Sequence, residues 1–336
     1  MSNHNFSNVA IIAGGTNQKL AKEIADFLGV GLTQMKIDQL SDGEIDIKIN
    51  NDQDIRGKHV YLIQSSCPPV NENIMQIALV SGWLKRNNAK TVTVIMPYYG
   101  YSRYQQSRLS SEASQILQSM PIDRFMTLDV HAGQTLGYYR DIIFENLEAQ
   151  IVPLNYFLNL YDENKEDFVI VSADQNGVSR AKIFCDLFNA KAEANCQLAM
   201  LLNYAGDQQT VVLGDVKDKN VIIIDNIIDT ASTLQRNCQS LKQHGAKKIY
   251  AYATHSIFSG NAFQNINKSQ VDQVITTDTI PAQEEEKGNK KILRLTIAPL
   301  LAEALRRVVH NLSLENMVAS HYDKNHEKIK DKKITT

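Results

Sequence analysis

Short apolar runs alternate with amphipathic stretches along most of the chain. The apolar runs predict strands at 8–13, 59–64, 91–97, 125–129, 168–174, 220–225 and 248–255. Apolar residues at helical spacing predict helices at 17–28, 71–88, 230–244 and 298–312. Continuous apolar strands that alternate with helices are typical of a parallel sheet covered on both faces, so the pattern predicts an α/β fold.

The alternation of strands and helices runs through twice, which predicts two α/β domains, each a parallel sheet flanked by helices. We place the N-terminal domain at 8–150 and the C-terminal domain at 151–319. The charged segment 282–291 interrupts the pattern and is predicted to be a surface loop. The polar end, 320–336, is predicted to be a mobile tail.

Composition narrows the class of protein. A chain of 336 residues with 43% hydrophobic and 21% charged residues is typical of a soluble globular protein. Its net charge of −2 gives no long-range attraction to nucleic acid or to acidic membranes. No apolar run approaches the roughly 18 residues of a membrane span, and the N-terminus lacks the pattern of a signal peptide. The cysteines form no CxxC motif, which favours a reducing cytosol; they are Cys67, Cys185, Cys196 and Cys238.

The stretch IIIDNIIDTAST, residues 222–233, joins a buried strand to a helix through an acidic turn. In open parallel sheets, ligands bind at the carboxyl ends of strands, which is where Asp225 lies. The N-terminus of the following helix suits a phosphate group, and the carboxylates of Asp225 and Asp229 suit sugar hydroxyls or Mg²⁺. A phosphorylated sugar meets both demands. An ordinary helix start with surface acids is the alternative that spacing alone leaves open.

The same stretch resembles the ribose-phosphate loop of phosphoribosyltransferases, and seven further motifs extend the resemblance. They are LSDGEIDIKI, SSCPPVNENIMQ, PYYGYSR, LDVHAGQ, SADQNGVSRA, YAYATHSIFSG and TTDTIP. With DNIIDTAST they occur in the order found in ribose-phosphate diphosphokinases, over residues 8–319. The chain is therefore identified as a divergent member of that family, which has two phosphoribosyltransferase-like domains and assembles into oligomers.

The resemblance implies a reaction. Mg-ATP would give its terminal two phosphates, as one unit, to the anomeric hydroxyl of ribose 5-phosphate, for nucleotide biosynthesis. Such a transfer depends on positioning and charge neutralisation more than on covalent catalysis. The implied cofactor is Mg²⁺, the partners are ATP, ribose 5-phosphate and other subunits, and the location is the cytoplasm.

The resemblance also implies a role for individual residues of the N-terminal domain. Asp42 and Glu44 match a nucleotide-binding hairpin that reaches a neighbouring subunit, although alone they indicate only a turn between strands. Arg103 matches a cation at the ATP phosphates, with a catalytic role. Asp129 and His131 match a strand end that meets phosphates and metal, and His131 would also be catalytic.

In the C-terminal domain, Asp174 matches a metal ligand of the family. The ribose-phosphate loop is matched by five residues: Asp225, Asp229, Thr230, Ser232 and Thr233. The set as a whole predicts an ATP and ribose-phosphate site with its metal held by Asp129, His131 and Asp174.

Several positions depart from the family pattern. Leu40 stands where a Phe stacks on adenine, which loses about 1 kcal/mol of ring stacking. Gln175 and Asn176 replace small residues, and we expect them to crowd the metal or sugar. Asn226 replaces an aspartate; we expect it to keep a hydrogen bond to a ribose hydroxyl but to bring no negative charge. Ser232 replaces a glycine where backbone approaches phosphate.

The largest departure concerns cations. After Arg103 the family continues with acidic and basic residues, whereas this chain reads Tyr104, Gln105, Gln106, Ser107, Arg108. The family also places a Lys and an Arg on a flexible loop about two dozen residues beyond the position of Asp174. We assign that loop to 193–204, which contains no cation, and Lys191 is the nearest. A cation that acts only in the transition state is commonly worth on the order of 3–4 kcal/mol.

Two functions of different classes remain open on the sequence. One is a working ribose-phosphate diphosphokinase with an altered site. The other is a non-catalytic or weakly active subunit that assembles with active paralogues and regulates them. A phosphoribosyltransferase that uses the product is a poorer third reading, because it does not explain the SDGE and DVHAGQ elements.

Overall fold

The computed structural model describes residues 6–49, 55–103, 108–164, 167–203, 210–315 and 317. Within these ranges no helix has the length and apolar composition to cross a membrane. The tail 320–336 and residues 104–107 lie outside the described residues.

The N-terminal half forms a six-stranded sheet. Its strands are β1 (Val9–Ala13), β2 (Leu32–Thr33), β5 (His59–Ile63), β6 (Thr91–Met96), β7 (Arg124–Leu128) and β8 (Ile143–Leu147). They are ordered β2-β1-β5-β6-β7-β8, and every neighbouring pair is parallel. The helices of this half are α1 (Gln18–Leu28), α2 (Val70–Arg86) and α3 (Arg108–Gln118), and a 3-10 helix covers Gly133–Tyr138. A separate antiparallel hairpin consists of β3 (Met35–Gln39) and β4 (Ile45–Ile49).

The C-terminal half forms a seven-stranded sheet. Its strands are β9 (Phe168–Ser172), β10 (Gln197–Asn203), β11 (Thr210–Leu213), β12 (Asn220–Ile228), β13 (Ile249–Ser256), β14 (Gln273–Thr277) and β15 (Ile292–Leu295). The order is β11-β10-β9-β12-β13-β14-β15, and only the β10–β11 pair is antiparallel. The helices are α4 (Ile151–Asn164), α5 (Val178–Ala192), α6 (Ser232–Gln243), α7 (Ala262–Lys268) and α8 (Ala298–Val309), and a 3-10 turn covers Glu284–Glu286.

The predicted fold class is confirmed: both halves are parallel sheets flanked by helices. The strand β9 and the first part of β12 are buried, and they alternate their side chains between two hydrophobic clusters, one on each face of the sheet. The segment 282–291 is mostly exposed, as expected of a surface loop. The domain boundary near residue 150 stays a prediction, because α8 returns to pack on α1 and one core cluster draws on both halves.

One prediction is wrong. The segment 193–204 was expected to be a flexible loop, but Gln197–Asn203 is strand β10, paired with β9 on one side and β11 on the other. Leu198, for example, lies opposite Ile170. Counting residues from Asp174 misplaced the loop, because the apolar run 198–202 is long enough to form a strand. The connection that follows β10 is 204–209, outside the described residues.

A buried polar seam joins the two halves behind the sheets' carboxyl ends. Thr254 donates a hydrogen bond to the carboxylate of Asp129, and the Nε2–H of His255 donates to the carbonyl of Leu128 at 3.1 Å. The Nδ1 of His255 lies 3.0 Å from the hydroxyl of Thr279. Burial lowers the pKa of His255 to about 3, so the imidazole is neutral in this interdomain seam.

Candidate active site

A cleft of about 370 Å³ opens where the carboxyl ends of β9 and β12 face the N-terminal half. Seven of the residues singled out in the sequence line it: Arg103, His131, Asp174, Asp225, Asp229, Thr230 and Thr233. The first two come from the N-terminal half and the other five from the C-terminal half. The fold therefore brings a cation, an imidazole, three carboxylates and two hydroxyls together around one space.

The acidic turn after β12 is anchored at Asp229. One oxygen of its carboxylate lies 2.8 Å from Nη1 of Arg103, and the other accepts a hydrogen bond from the hydroxyl of Ser259. Thr230 is held through its backbone carbonyl, which accepts a hydrogen bond from the amide of Asn265 at 2.8 Å. These contacts fix the turn from both sides.

Sequence reasoning missed Ser259 and Asn265 as supports of that turn. Both follow β13, the parallel neighbour of β12, and residues after the carboxyl ends of adjacent parallel strands lie at the same edge of a sheet. The motif YAYATHSIFSG includes Ser259 without singling it out, and it ends at Gly260, before Asn265.

Helix α6 begins with Ser232, directly beside the cleft. Its N-cap residue, Ala231, has a left-handed backbone (φ 57°) and makes no side-chain cap. The first N–H groups of the helix therefore have no capping side chain, and the partial positive charge of the helix end suits an anion. The hydroxyl of Ser232 lies 3.0 Å from that of Thr230, and Ser232 is not among the residues that line the cleft.

Asp225 is a half-buried carboxylate on the wall of the cleft. It accepts a hydrogen bond of 2.7 Å from the backbone N–H of Asn226. Burial raises the pKa of Asp225 to about 6, against the effect of that hydrogen bond and of the Arg180 charge. Such a group loses its proton easily near neutral pH and can accept a hydrogen bond from a sugar hydroxyl.

His131 reaches the cleft from the segment after β7. Its Nδ1 lies 3.1 Å from the Oδ1 of Asn226, which is buried behind it with 1% of its surface exposed. Burial lowers the pKa of His131, and the charges of Arg180 and Arg103 act in the same direction. Asn226 is not among the residues that line the cleft, so the expectation that it contacts a ribose hydroxyl is not supported.

Asp174 is oriented by the turn that leads into α5. Its Oδ1 accepts hydrogen bonds from the backbone N–H groups of Asn176 at 2.9 Å and Gly177 at 2.8 Å. A side chain at Gly177 would begin 3.1 Å from the hydroxyl of Ser172, so only glycine fits this close turn without a shift. Gln175 and Asn176 are exposed and do not line the cleft, which corrects the expectation that they crowd it.

Asp129 does not fit the expected role of metal ligand. It is 4% exposed, and its two carboxylate oxygens accept hydrogen bonds from the backbone N–H of Ala149 at 3.1 Å and from the hydroxyl of Thr254. Burial raises its pKa. Because both oxygens already accept buried hydrogen bonds and Asp129 does not line the cleft, we remove Asp129 from the proposed metal site.

Asp42 and Glu44 lie on the β3–β4 hairpin and not on the cleft of their own chain. The carboxylate of Asp42 accepts a hydrogen bond of 3.0 Å from the backbone N–H of Glu44, and Gly43 has a φ of 94° that the turn requires. Leu40 at the hairpin is 49% exposed. That Asp42 and Glu44 contribute to the site of a neighbouring subunit stays a prediction.

No group of three His, Cys, Asp or Glu side chains in the described ranges is arranged to hold a metal ion. His131 and Asp174 nonetheless line the same cleft. Mg²⁺ is usually bound by one or two protein ligands, with water and substrate phosphates completing its shell. The residues present therefore fit a Mg²⁺ ion that arrives with a nucleotide better than a resident metal.

Known proteins resemble the chain over almost its whole length. Residues 9–120 match the family model described as the N-terminal domain of ribose phosphate pyrophosphokinase, and residues 175–319 match that of the phosphoribosyl synthetase-associated domain. The ribose-phosphate pyrophosphokinase of Clostridium tetani is 35% identical over 94% of this chain and 98% of its own length. That of Caldanaerobacter subterraneus is 36% identical over 93% of this chain and 98% of its own.

The structural comparison agrees. The crystal structure of phosphoribosylpyrophosphate synthetase from Mycobacterium smegmatis superimposes with a TM-score of 0.81 at 30% identity, covering 90% of this chain and 99% of that one. Identity above 30% over nearly the full length, with the same two-sheet fold, leaves one conclusion. The chain belongs to the ribose-phosphate pyrophosphokinase family.

Proposed function

We propose that the chain transfers the terminal two phosphates of Mg-ATP to ribose 5-phosphate. The observation that carries this proposal is the composition of the cleft. A cation and an imidazole from the N-terminal half face the acidic turn and helix start of the C-terminal half across a single space. A reaction between a nucleotide and a sugar phosphate requires both kinds of subsite side by side.

The sugar phosphate is placed at the start of α6. Its phosphate accepts hydrogen bonds from the uncapped N–H groups of the first turn and from the hydroxyls of Thr230 and Thr233. The ribose hydroxyls donate to the carboxylates of Asp225 and Asp229. This arrangement holds the anomeric hydroxyl toward Arg103 and His131.

The polyphosphate is placed between Arg103, His131 and Asp174. In the step, the anomeric oxygen bonds to the β-phosphorus, while the bond from that phosphorus to the oxygen bridging the α-phosphate breaks. The proton of the hydroxyl passes to water, and AMP leaves with the electron pair of the broken bond. His131 and Asp174 would hold Mg²⁺, which would supply charge neutralisation on the phosphates. Arg103 supplies a second positive charge, once it exchanges Asp229 for phosphate.

The adenine end is assigned to the β3–β4 hairpin of another subunit, through Asp42 and Glu44. This assignment makes an oligomer, with copies of this chain or with active paralogues, part of the proposal. A cytoplasmic location is also part of it, and the four cysteines, all buried and free, suit a reducing compartment.

A regulatory subunit with little turnover is the second candidate. The observation that favours it is the sequence of 193–209, which contains neither Lys nor Arg. This range includes both the segment first assigned to the loop and the true connection between β10 and β11. The charge of the transferring group therefore lacks a counterpart from this part of the chain.

A steady-state assay separates the two candidates. The purified chain is supplied with Mg-ATP and ribose 5-phosphate, and AMP and the pyrophosphorylated sugar are measured, first alone and then with an active paralogue. Turnover that disappears in Asp174→Asn supports the enzyme. No turnover alone, with altered activity of the paralogue on mixing, supports the regulatory subunit.

Calorimetry tests the sugar-phosphate subsite independently of turnover. Ribose 5-phosphate should bind in the presence of Mg²⁺, and Asp229→Ala should weaken that binding. Absence of binding by the parent protein at millimolar ligand would argue against both candidates as we describe them.

A further inference from the structure

Asn226 occupies the position behind His131, on the far side of the cleft wall. It follows Asp225 on β12, and successive side chains of a strand point to opposite faces, so Asp225 lines the cleft and Asn226 does not. Asn226 is 1% exposed. The only hydrogen-bond contact of its side chain among the described residues is the 3.1 Å approach of its Oδ1 to the Nδ1 of His131.

That contact decides which nitrogen of His131 carries the proton. A neutral imidazole has one N–H donor and one acceptor nitrogen, and an amide oxygen can only accept. With Oδ1 facing the ring, Nδ1 must be the donor, and Nε2 then carries the lone pair. If the amide were rotated by half a turn, its NH₂ group would donate to Nδ1, and the proton would sit on Nε2.

The same arrangement leaves the Nδ2 donor of Asn226 buried without a hydrogen-bond partner in the described part of the chain. A buried donor without a partner lowers the stability of the fold, and an apolar side chain at this position would avoid that loss. Asn226 is therefore better explained by its contact with His131 than by a contribution to stability.

We propose that Asn226 is a positioning residue that holds His131 in the tautomer protonated at Nδ1, so that Nε2 presents its lone pair toward the cleft. A lone pair at Nε2 is the form that binds a divalent cation. The tautomer follows from the orientation of the Asn226 amide, with Oδ1 toward the ring, whereas its use for Mg²⁺ rests on the proposed function. An aspartate would accept the same N–H, but it would also place a negative charge next to Asp225.

Nitrogen NMR of the full-length, metal-free protein tests the tautomer. Histidine rings are labelled with ¹⁵N, spectra are recorded at alkaline pH where imidazoles are neutral, and the His131 signal is assigned by its loss in His131→Gln. The parent protein should show Nδ1 protonated. Asn226→Leu and the smaller Asn226→Ala should shift the ring toward the tautomer protonated at Nε2, and Asn226→Asp should retain the parent pattern.

Asn73 offers a matched control. It is also buried, but its Oδ1 accepts a hydrogen bond from Gln64 and its Nδ2 donates to the carbonyl of Cys67. Asn73→Ala should lower the melting temperature and leave the His131 signal unchanged. Asn226→Leu should do the reverse, with a melting temperature at or above that of the parent. A parent spectrum with Nε2 protonated, or an unchanged tautomer in the Leu and Ala variants, overturns the inference.

The affinity for Mn²⁺ tests the use of the tautomer. Binding is measured in the presence of ATP from the paramagnetic resonance signal of Mn²⁺. Loss of the positioning contact should weaken Mn²⁺ binding about tenfold in Asn226→Ala. If the tautomer changes and the affinity for Mn²⁺ does not, the positioning role stands and the metal role of His131 in the proposed function is overturned.

Discussion

Arg103 of the N-terminal half is ion-paired with Asp229 of the C-terminal half, with 2.8 Å between Nη1 and Oδ2. The two residues were singled out for different substrates, Arg103 for the ATP phosphates and Asp229 for the ribose phosphate. Their contact means that the two proposed subsites would adjoin. In that proposal, a phosphate entering beside Arg103 would compete with the carboxylate of Asp229.

Arg103→Gln should weaken ATP binding with little effect on stability. The side chains of the pair are 45% and 26% exposed, and such pairs contribute at most about 1 kcal/mol. Charge-assisted contact with phosphate is stronger, so we expect the affinity for Mg-ATP, measured by calorimetry, to fall about tenfold. Lys182→Gln removes an exposed ion pair with Asp186 on α5 and should change neither quantity. Unaltered ATP affinity in Arg103→Gln would remove Arg103 from the proposed nucleotide subsite.

Asp225→Asn should stabilise the protein at neutral pH. The pKa of Asp225 rises from 3.8 to about 6 on folding, so the native state holds the proton more tightly than the unfolded chain between these values. The free energy of unfolding contributed by Asp225 therefore falls as pH rises through that window, and the loss is complete above it. We expect the variant to gain about 1–3 kcal/mol near pH 7 and to gain nothing near pH 3. Urea denaturation at both pH values measures this, and an equal effect at the two would contradict the cause.

The missing cation should be restorable. Residue spacing from Asp174 suggests a lysine within 197–200, near Leu198, but the structure does not support that position. Leu198 lies within β10, in register with Ile170 of β9, so a lysine there would project from a strand. We therefore move the test to Tyr204, the first residue after β10. The unmodified chain alone should turn over at least about a hundredfold more slowly than an ordinary family member, and Tyr204→Lys should recover tenfold or more. The apparent affinity for ATP should change little, because the contact belongs to the transition state.

Leu198→Lys is the matched control for that experiment, since it adds the same charge within β10 and should not raise the rate. Full activity of the unmodified, partner-free chain would show that another cation serves the transferring group. Recovery by Leu198→Lys and not by Tyr204→Lys would restore the original assignment of the loop.

Leu40→Phe should tighten nucleotide binding in the assembled protein. Ring stacking on adenine is worth about 1 kcal/mol, which corresponds to roughly fivefold in affinity. Leu312→Phe, at another leucine that is 47% exposed, is the control and should have no effect. Sedimentation at micromolar concentration should show an oligomer, and a monomer would mean that the hairpin has no neighbour to serve.

Periodicity predicted the fold well because it reports burial. The uninterrupted apolar run before Asp225 forms the centre of the second sheet, where both faces are covered. The cleft residues followed from the rule that parallel strands end at one edge, together with the family motifs. Lengths of connections do not follow from such patterns, which is why β10 was assigned to a loop.

The sequence could not predict the direction in which individual side chains of the site point. Asp129 and His131 are two positions apart, yet one turns into the interdomain seam and the other into the cleft. The left-handed backbone of Asp129 (φ 42°) breaks the alternation of the strand, and nothing in DVHAGQ announces it. Asn226 was likewise judged by its amino-acid type, whereas its role depends on which face of β12 it occupies.

The interdomain seam has a consequence for how substrates gain access. Buried hydrogen bonds of Thr254 and His255 cross between the halves, and a shared hydrophobic core lies beneath them. Rotating the two halves apart would break these buried hydrogen bonds together. Leaving buried polar groups without partners costs free energy. The width of the cleft is thus set when the chain folds. If the proposed transfer takes place in this cleft, closure of the two halves is therefore not the means by which water is excluded from it.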